Sequence, residues 1–201
     1  MLNLQERANL VILYSEPQRH YHTLEHIFHC LRELEDFSEN AEAGDRNGWN
    51  SLVVEKAIWF HDCVYDPQAS AGKNEKESMS IAYGHLCAQF RGYDAFPIEV
   101  SEIIEKTDHR SVAETANQKI MLDIDLAILG STDVDYVSYV RKIRQEYSFL
   151  SRERWLAGRS RFLASLLCKK RLYYTEYFYK KYESRARKNI QMELDNLHLW
   201  L

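Results

Sequence analysis

Apolar side chains recur at intervals of three and four residues along most of this chain. Between residues 21 and 38 the apolar positions are Leu24, Ile27, Phe28, Leu31, Leu34 and Phe37. This spacing places them on one face of an α-helix, and no segment shows the alternation of a half-buried strand. Only three prolines and seven glycines, the residues that interrupt helices, occur in 201 positions. The pattern predicts an all-α fold.

Proline, glycine and polar clusters divide the pattern into nine expected helices. We predict helices over residues 4–14, 21–38, 52–65, 74–90, 97–109, 117–129, 133–149, 153–167 and 173–197. Asn74 is expected to cap its helix, with Glu77 at capping-box distance. A chain of 201 residues is long enough for one well-buried core and short for two. We therefore expect a single bundle of eight or nine helices over residues 1–201.

Charge is distributed unevenly along the chain. Residues 1–130 carry 11 Lys and Arg against 22 Asp and Glu, whereas residues 131–201 carry 15 against 8. The acidic part suits a cation site, and the basic part suits an anionic ligand. Nucleic acid is not an expected partner, because the net charge is −4 and the three basic residues Lys169-Lys170-Arg171 are too few for a nucleic-acid surface.

Localisation follows from the same composition. No apolar run approaches 18 residues, and the first residues lack a basic segment followed by an apolar one. The four cysteines show no CxxC spacing, which argues against a zinc knuckle and favours reduced thiols. We expect a cytoplasmic protein without a membrane segment.

The dipeptide His61-Asp62 stands at the end of an apolar helical segment, shortly before Pro67. Water solvates both groups well, so a buried pair needs partners or a ligand. Neighbouring residues on a helix point about 100° apart, and they reach one ion most easily where a helix frays. Proline ends the helix here. The pair by itself allows two interpretations, mutual hydrogen bonding or a bound ion.

His22 and His26 stand four positions apart on the second expected helix, so they share a face. Such a pair serves one site or makes only local hydrogen bonds. Farther along, Asp125 lies in the middle of an apolar stripe, where a carboxylate needs a cation, donors or a buried arginine. Around the helix axis, Asp123 points about 160° away from Asp125. We expect Asp123 to contact a helix cap, water or the surroundings of a ligand.

Four side chains then form a candidate metal site: His26, His61, Asp62 and Asp125. Imidazole and carboxylate ligands without sulfur suit Mn, Fe, Co, Ni, Zn or Mg. One or two ions are possible, with Asp62 as the bridge. Arg144 and Tyr147 share a helix face at i,i+3, and an arginine fork matches phosphate oxygens. These two residues are expected to bind the substrate anion, although Arg144 has acidic surface groups as alternative partners.

The order His, His-Asp, Asp on successive helices resembles the HD-domain superfamily of metal-dependent phosphohydrolases. The segment from Tyr21 to His26 is similar to the Tyr-His-Asn-x-x-His stretch of cyclic-nucleotide phosphodiesterases, with Thr23 where asparagine is usual. The resemblance implies that His26 binds metal and that His22 is a general acid. Asp125-Leu126 is similar to the Asp-Leu of the family's last ligand.

More of the chain is similar to a bacterial subgroup of predicted HD-superfamily phosphohydrolases. The similarity covers roughly residues 10–195 and includes Asn74-Glu75 with Ser78, residues 122–126 and the stretch from Arg141 to Tyr147. Asn74 is accordingly expected to contact substrate. His109 stands in Thr107-Asp108-His109, which is similar to a Thr-Asp segment of the phosphodiesterases, and is expected to contact substrate or to be a ligand of a second ion. The subgroup implies no particular substrate.

The expected function is hydrolysis of a small phosphate ester, either a nucleotide or another phosphomonoester or diester. Water activated by the divalent ion would attack phosphorus, with Asp62 and His22 as the catalytic residues. Two alternatives are a non-catalytic module that binds metal and nucleotide, and a di-iron oxygenase of the HD fold. The sequence contains no HExxH, GxxxxGK[ST], GxGxxG or GxSxG motif, which argues against several other classes of enzyme.

Overall fold

The computed structural model describes residues 4–90, 92 and 95–199, and every regular element in that part of the chain is helical. Its nine α-helices are α1 (Leu4–Leu13), α2 (Leu24–Asn40), α3 (Ser51–Phe60), α4 (Lys73–Gln89), α5 (Ala95–Lys106), α6 (Ala116–Asp125), α7 (Asp133–Glu146), α8 (Arg152–Leu167) and α9 (Glu176–Asp195). Two short 3-10 segments follow α6 and α9, Leu126–Gly130 and Leu197–Leu199. The predicted all-α fold is confirmed. The extent of the domain, residues 1–201, stays a prediction.

Several helices are shorter than the periodicity predicts, and the differences fall at polar residues. α2 begins at Leu24 rather than at residue 21, because Thr23 has extended backbone and its side chain accepts the N–H of Glu25. α3 ends at Phe60 rather than at residue 65, and α5 ends at Lys106 rather than at residue 109. Consequently His22, Asp62 and His109 lie in turns between helices.

The predicted N-cap at Asn74 is wrong. α4 starts one residue earlier, after Gly72, whose φ of 81° is in the left-handed region that favours glycine. The Asn74 side chain instead holds the preceding loop: it accepts the N–H of Asp66 at 3.1 Å and donates to the Asp66 carbonyl at 3.0 Å. Asn74 therefore fixes the loop that follows His61-Asp62.

α3 lies at the centre of the buried apolar cluster and packs against α2, α4, α5 and α6. Val54, Ala57 and Ile58 on this helix are fully buried. The 3-10 segment after α6 packs closely on α9, because Gly130 carries no side chain: a Cβ there would lie 2.5 Å from the Cβ of Tyr182. In the described part of the chain, no helix combines the length and the apolar character needed to cross a membrane.

Candidate metal centre

Four side chains from three central helices converge where α2, α3 and α6 meet. His26 lies in the first turn of α2, His61 caps the C-terminus of α3, Asp62 follows it, and Asp125 is the last residue of α6. His61 Nε2 lies 3.1 Å from His26 Nε2 and 3.0 Å from Asp62 Oδ2. His26 Nε2 lies 3.2 Å from Asp125 Oδ1. The two crossed distances, His26 to Asp62 and His61 to Asp125, are both 3.6 Å.

These distances fit a shared divalent ion. Ligand atoms at about 2.0–2.2 Å from one ion lie roughly 3 Å apart in an octahedral arrangement and roughly 3.4 Å apart in a tetrahedral one. Two histidine nitrogens that face each other at 3.1 Å also need a proton or a cation between them. The donor set, two imidazoles and two carboxylates, is the mixed set that divalent transition metals prefer.

The orientation of His61 is fixed by its other ring nitrogen. Nδ1 lies 2.9 Å from the carbonyl oxygen of Ile58, which can only accept, so Nδ1 carries the proton. Nε2 is then the ring nitrogen directed toward Asp62 and Asp125, where a bound metal ion would take the place of its proton. The C-terminal ends of α3 and α6 both meet at this point. Their partial negative charges favour a bound cation.

The charges of the four groups also favour a bound cation. Burial lowers the pKa of His61, but the charges of Asp62 and Asp125 outweigh this effect and hold the pKa well above its ordinary value. Burial raises the pKa of Asp125, but hydrogen bonds to His109, His26 and His61 outweigh it and bring the pKa well below the usual range. The carboxylates thus stay ionised and attract positive charge into the centre.

The two aspartates of α6 have separate roles. Asp125 is directed at the histidines, with 16% of its side chain exposed, rather than at an arginine. Asp123 is the more deeply buried of the two and points to the N-terminus of α9. There it accepts the N–H groups of Tyr174 and Thr175 at 2.7 and 2.8 Å and the Thr175 hydroxyl at 2.8 Å. The expectation that Asp123 contacts a helix cap is therefore met.

His109 and Cys30 border the centre. His109 Nε2 lies 2.8 Å from Asp125 Oδ2, the oxygen that faces away from His26. His109 adopts a left-handed backbone with φ of 57°, the one positive value found among non-glycine residues of the described chain. Cys30 is buried one turn after His26, with its Sγ 3.7 Å from His26 Nε2. His109 is thus placed against the Asp125 carboxylate, where either expected role is open to it.

His22 is held beside the centre by Glu146, the last residue of α7. Glu146 Oε2 accepts His22 Nδ1 at 2.7 Å and the Tyr65 hydroxyl at 2.8 Å. Its Oε1 accepts the backbone N–H groups of His20, Tyr21 and His22 at 2.7–2.9 Å. His22 therefore lies in a turn and does not share a helix face with His26, which corrects the prediction made from their spacing.

The Glu146 carboxylate also sets the protonation of this pair. Burial lowers the pKa of His22, but the negative charges of Glu146 and Asp62 outweigh it and raise the pKa above its ordinary value. Burial raises the pKa of Glu146, but the charge and hydrogen bonds of His22 lower it to about 2. His22 keeps its Nδ1 proton on Glu146, and its Nε2 edge is left for the adjoining cavity.

Arg19 ties the His22 turn to the His61-Asp62 turn. Its side chain is fully buried and donates to the carbonyl oxygens of His22 at 3.0 Å, Asp62 at 2.8 Å and Cys63 at 3.2 Å. Glu16, 3.0 Å from Arg19 Nε, balances the charge. His22 and the His61-Asp62 pair are thus held in fixed positions relative to each other by one guanidinium.

A cavity of about 460 Å³ opens onto the centre. Of the expected substrate-binding residues, Asn74, His109 and Tyr147 line it. Arg144 does not: its guanidinium lies over the Trp155 ring at 5.5 Å and donates to the Tyr147 carbonyl at 2.8 Å. The cations that do line the cavity are Arg110 and Lys169.

The four converging side chains and His22 were predicted from the sequence, whereas Glu146, Arg19, Tyr65, Arg110 and Lys169 were given no role in the site. Glu146 occurs in the stretch similar to the bacterial subgroup, and that signal could have drawn attention to it. Lys169 has no local signal, because a basic residue at a helix end usually faces solvent. Comparisons with protein-family models, with curated proteins and with solved structures find no match for this chain.

Proposed function

We propose that this protein is a divalent-metal-dependent phosphohydrolase of the HD type. The observation that carries the proposal is the convergence of four side chains: the Nε2 atoms of His26 and His61 lie 3.1 Å apart, and each lies 3.0–3.6 Å from a carboxylate oxygen of Asp62 and of Asp125. A proton donor and two cationic side chains stand around the same cavity. These parts suit attack of water on a phosphate ester.

A divalent ion in this centre would supply an acidified water and neutralise charge on the phosphate oxygens. Our proposal assigns the rest to side chains. His22 donates a proton from Nε2 to the leaving oxygen, and Glu146 keeps its ring in position from the Nδ1 side. Lys169, which forms no ion pair with any described residue, attracts the substrate anion, and Arg110 assists it. Both replace Arg144 in the role expected from the sequence.

Metal analysis of purified protein tests the centre. Wild type is expected to hold about one or two divalent ions per molecule. His198→Ala, which changes an exposed histidine outside the candidate centre, is the control and should hold as much metal as wild type. His61→Ala and Asp62→Ala are expected to lose most of that metal, since each removes a ligand. Equal metal content in all four proteins would remove the basis of the proposal.

A hydrolysis screen tests the reaction. In the presence of Mn, Co, Ni or Mg, the metal-loaded protein should hydrolyse at least one phosphomonoester, phosphodiester or nucleotide. His22→Ala should keep its metal and lose roughly a hundredfold or more in kcat, because the proton donor is absent. Ligand binding without turnover would favour a binding module, and oxygen consumption with two irons would favour an oxygenase.

A further inference from the structure

We call the cavity of about 460 Å³ that opens onto the candidate metal centre the metal cavity. A second cavity, of about 380 Å³, adjoins it and lies between α7 and α8. The two share His22, Tyr139, Ile143, Tyr147 and Phe162 as lining residues. Beyond this shared wall the second cavity continues over Trp155. We call the part formed by Tyr147, Trp155 and Phe162 the aromatic lobe. Its size is in the range of small-molecule sites, roughly 300–1,000 Å³.

The aromatic lobe offers no free charge among the residues that the structure describes. Besides His22, the charged group on its lining is Arg159, whose guanidinium forms a bidentate ion pair with Glu193 at 2.7 and 3.1 Å. Arg159 also donates to the Tyr139 hydroxyl at 3.2 Å. The metal cavity, by contrast, presents four carboxylates, two on the candidate metal ligands Asp62 and Asp125 and two on Glu75 and Asp108, together with the cations Arg110 and Lys169. A phosphate group is therefore suited to the metal cavity, and a neutral group to the lobe.

His22 stands where the two cavities meet, and this position relates them chemically. Glu146 occupies its Nδ1 edge, so the other edge of the ring serves as the proton donor. A proton donor has to reach the leaving oxygen. The leaving group of a substrate whose phosphorus lies at the metal centre thus starts beside His22, and the aromatic lobe is the space that continues from there.

The walls of the lobe are suited to a flat ring. Tyr147 and Trp155 lie with ring centroids 5.8 Å apart at an angle of 38°. Phe162 is 38% exposed although it lines a concave surface, so a stacked ring would remove apolar area from water. The buried indole N–H of Trp155 has no acceptor among the described residues. Stacking on aromatic side chains is a common mode of binding flat bases.

We infer that the aromatic lobe binds the leaving group of the substrate and that this group carries a flat aromatic ring system, as a nucleoside does. The inference rests on the proposed function for the position of the phosphate. In the reaction, the oxygen of water bonds to phosphorus and the bond from phosphorus to the leaving oxygen breaks. That oxygen takes a proton from His22, the proton lost by water passes to solvent, and inorganic phosphate and a nucleoside result.

Matched substrates test the lobe during turnover. The four ribonucleoside 5′-monophosphates and ribose 5-phosphate share the same leaving oxygen and differ only in the base. For wild type, kcat/KM for at least one nucleotide should exceed that for ribose 5-phosphate by roughly tenfold or more. Phe162→Ala should bring this ratio toward one, whereas Phe28→Ala, which removes a similarly exposed aromatic ring outside both cavities, should keep it. A ratio near one in wild type, or an unchanged ratio in Phe162→Ala, would overturn the inference.

Calorimetry with free nucleosides separates this inference from the proposed function. Adenosine, guanosine, cytidine and uridine carry no phosphate, so their binding does not require the metal centre. At least one should bind wild type and Asp62→Ala equally and bind Phe162→Ala roughly tenfold more weakly. Absence of turnover with this binding retained would reject the phosphohydrolase and leave the lobe in place. If none of the four binds wild type, the lobe does not recognise a nucleoside and the inference fails.

Discussion

At the scale of single residues, Glu146 illustrates how one carboxylate can organise a site. Its two oxygens accept five hydrogen bonds, three from consecutive backbone N–H groups and two from side chains. Charge-assisted hydrogen bonds of this kind are stronger than neutral ones. The turn that carries His22 is therefore built around Glu146, and its geometry depends on the charge of that residue.

Glu146→Gln should destabilise the fold most strongly above about pH 4.5. The pKa of Glu146 is about 2 in the fold and 4.5 ordinarily, so its charge stabilises the fold above pH 4.5 and this contribution is lost as the pH falls toward 2. We expect a loss of about 3 kcal/mol at pH 6. Urea unfolding at pH 6, 4.5 and 3 should show the difference from wild type shrinking with acidity. A difference that is constant over this range would contradict the assignment.

Lys169→Met should weaken substrate binding without removing the metal. Burial lowers the pKa of Lys169, and the residue lines the metal cavity at the end of α8. We expect KM for the active substrate to rise about tenfold, since one cation at the phosphate is removed. The exposed neighbour gives the control: Lys170→Met should leave KM within about twofold. Equal effects of the two substitutions would place the phosphate elsewhere.

At the scale of elements, the N-terminus of α9 is held by two aspartates from distant parts of the chain. Asp123 of α6 accepts three hydrogen bonds from Tyr174 and Thr175 while fully buried. Asp45, which is only half-buried, accepts the N–H groups of Glu176 and Tyr177 at 2.9 and 2.7 Å. Both carboxylates also oppose the partial positive charge of the helix end. Asp123 thus docks α9 onto the helix that carries Asp125, and Asp45 docks it onto the loop between α2 and α3.

Asp123→Asn should cost more stability than Asp45→Asn. The amide introduced at position 123 would turn a donor toward three buried donors, which leaves at least one unpaired at a cost of about 1–3 kcal/mol. Water can replace the bonds that Asp45 makes, so its substitution should cost about 1 kcal/mol or less. Chemical denaturation of both variants gives the comparison. Equal costs would show that burial of Asp123 does not control the docking of α9.

At the scale of the whole molecule, a buried ion pair joins the last three helices. Arg159 of α8 pairs with Glu193 of α9, and Tyr136 of α7 donates to the same carboxylate at 2.6 Å. Arg159 also lies over the rings of Tyr139, Trp155 and Phe162. This network forms the floor of the aromatic lobe, so stability and the proposed substrate site depend on the same contacts.

Arg159→Met should destabilise the protein by about 3–5 kcal/mol, because it leaves the Glu193 carboxylate buried without a partner. The double variant Arg159→Met, Glu193→Gln removes both charges and should be more stable than Arg159→Met alone. Thermal unfolding of the wild type, the single variant and the double variant measures this. A double variant that is less stable than Arg159→Met would argue against a strong charge penalty.

Part of the site followed from local sequence and part did not. Pro67 predicts that a helix ends close to His61-Asp62, and α3 does end there, at Phe60. The helical angle between Asp123 and Asp125 correctly separated their directions. The apolar residues around Asp125 predict that Asp125 lies in the core. In the structure Asp123 is buried more deeply, because α9 covers that side of α6. Which side of a helix is covered depends on a partner that its own residues do not specify.

The sequence by itself determined the helical fold class and the residues that could bind a cation, because both depend on residue type and on a period repeated within one segment. Only the tertiary structure decided which of these residues meet. Glu146 acts on His22 from 124 positions away, Lys169 reaches the cavity and Arg144 does not. Such pairings arise from the packing of helices against each other. Hydrophobic burial drives that packing but does not encode the partner in any local pattern.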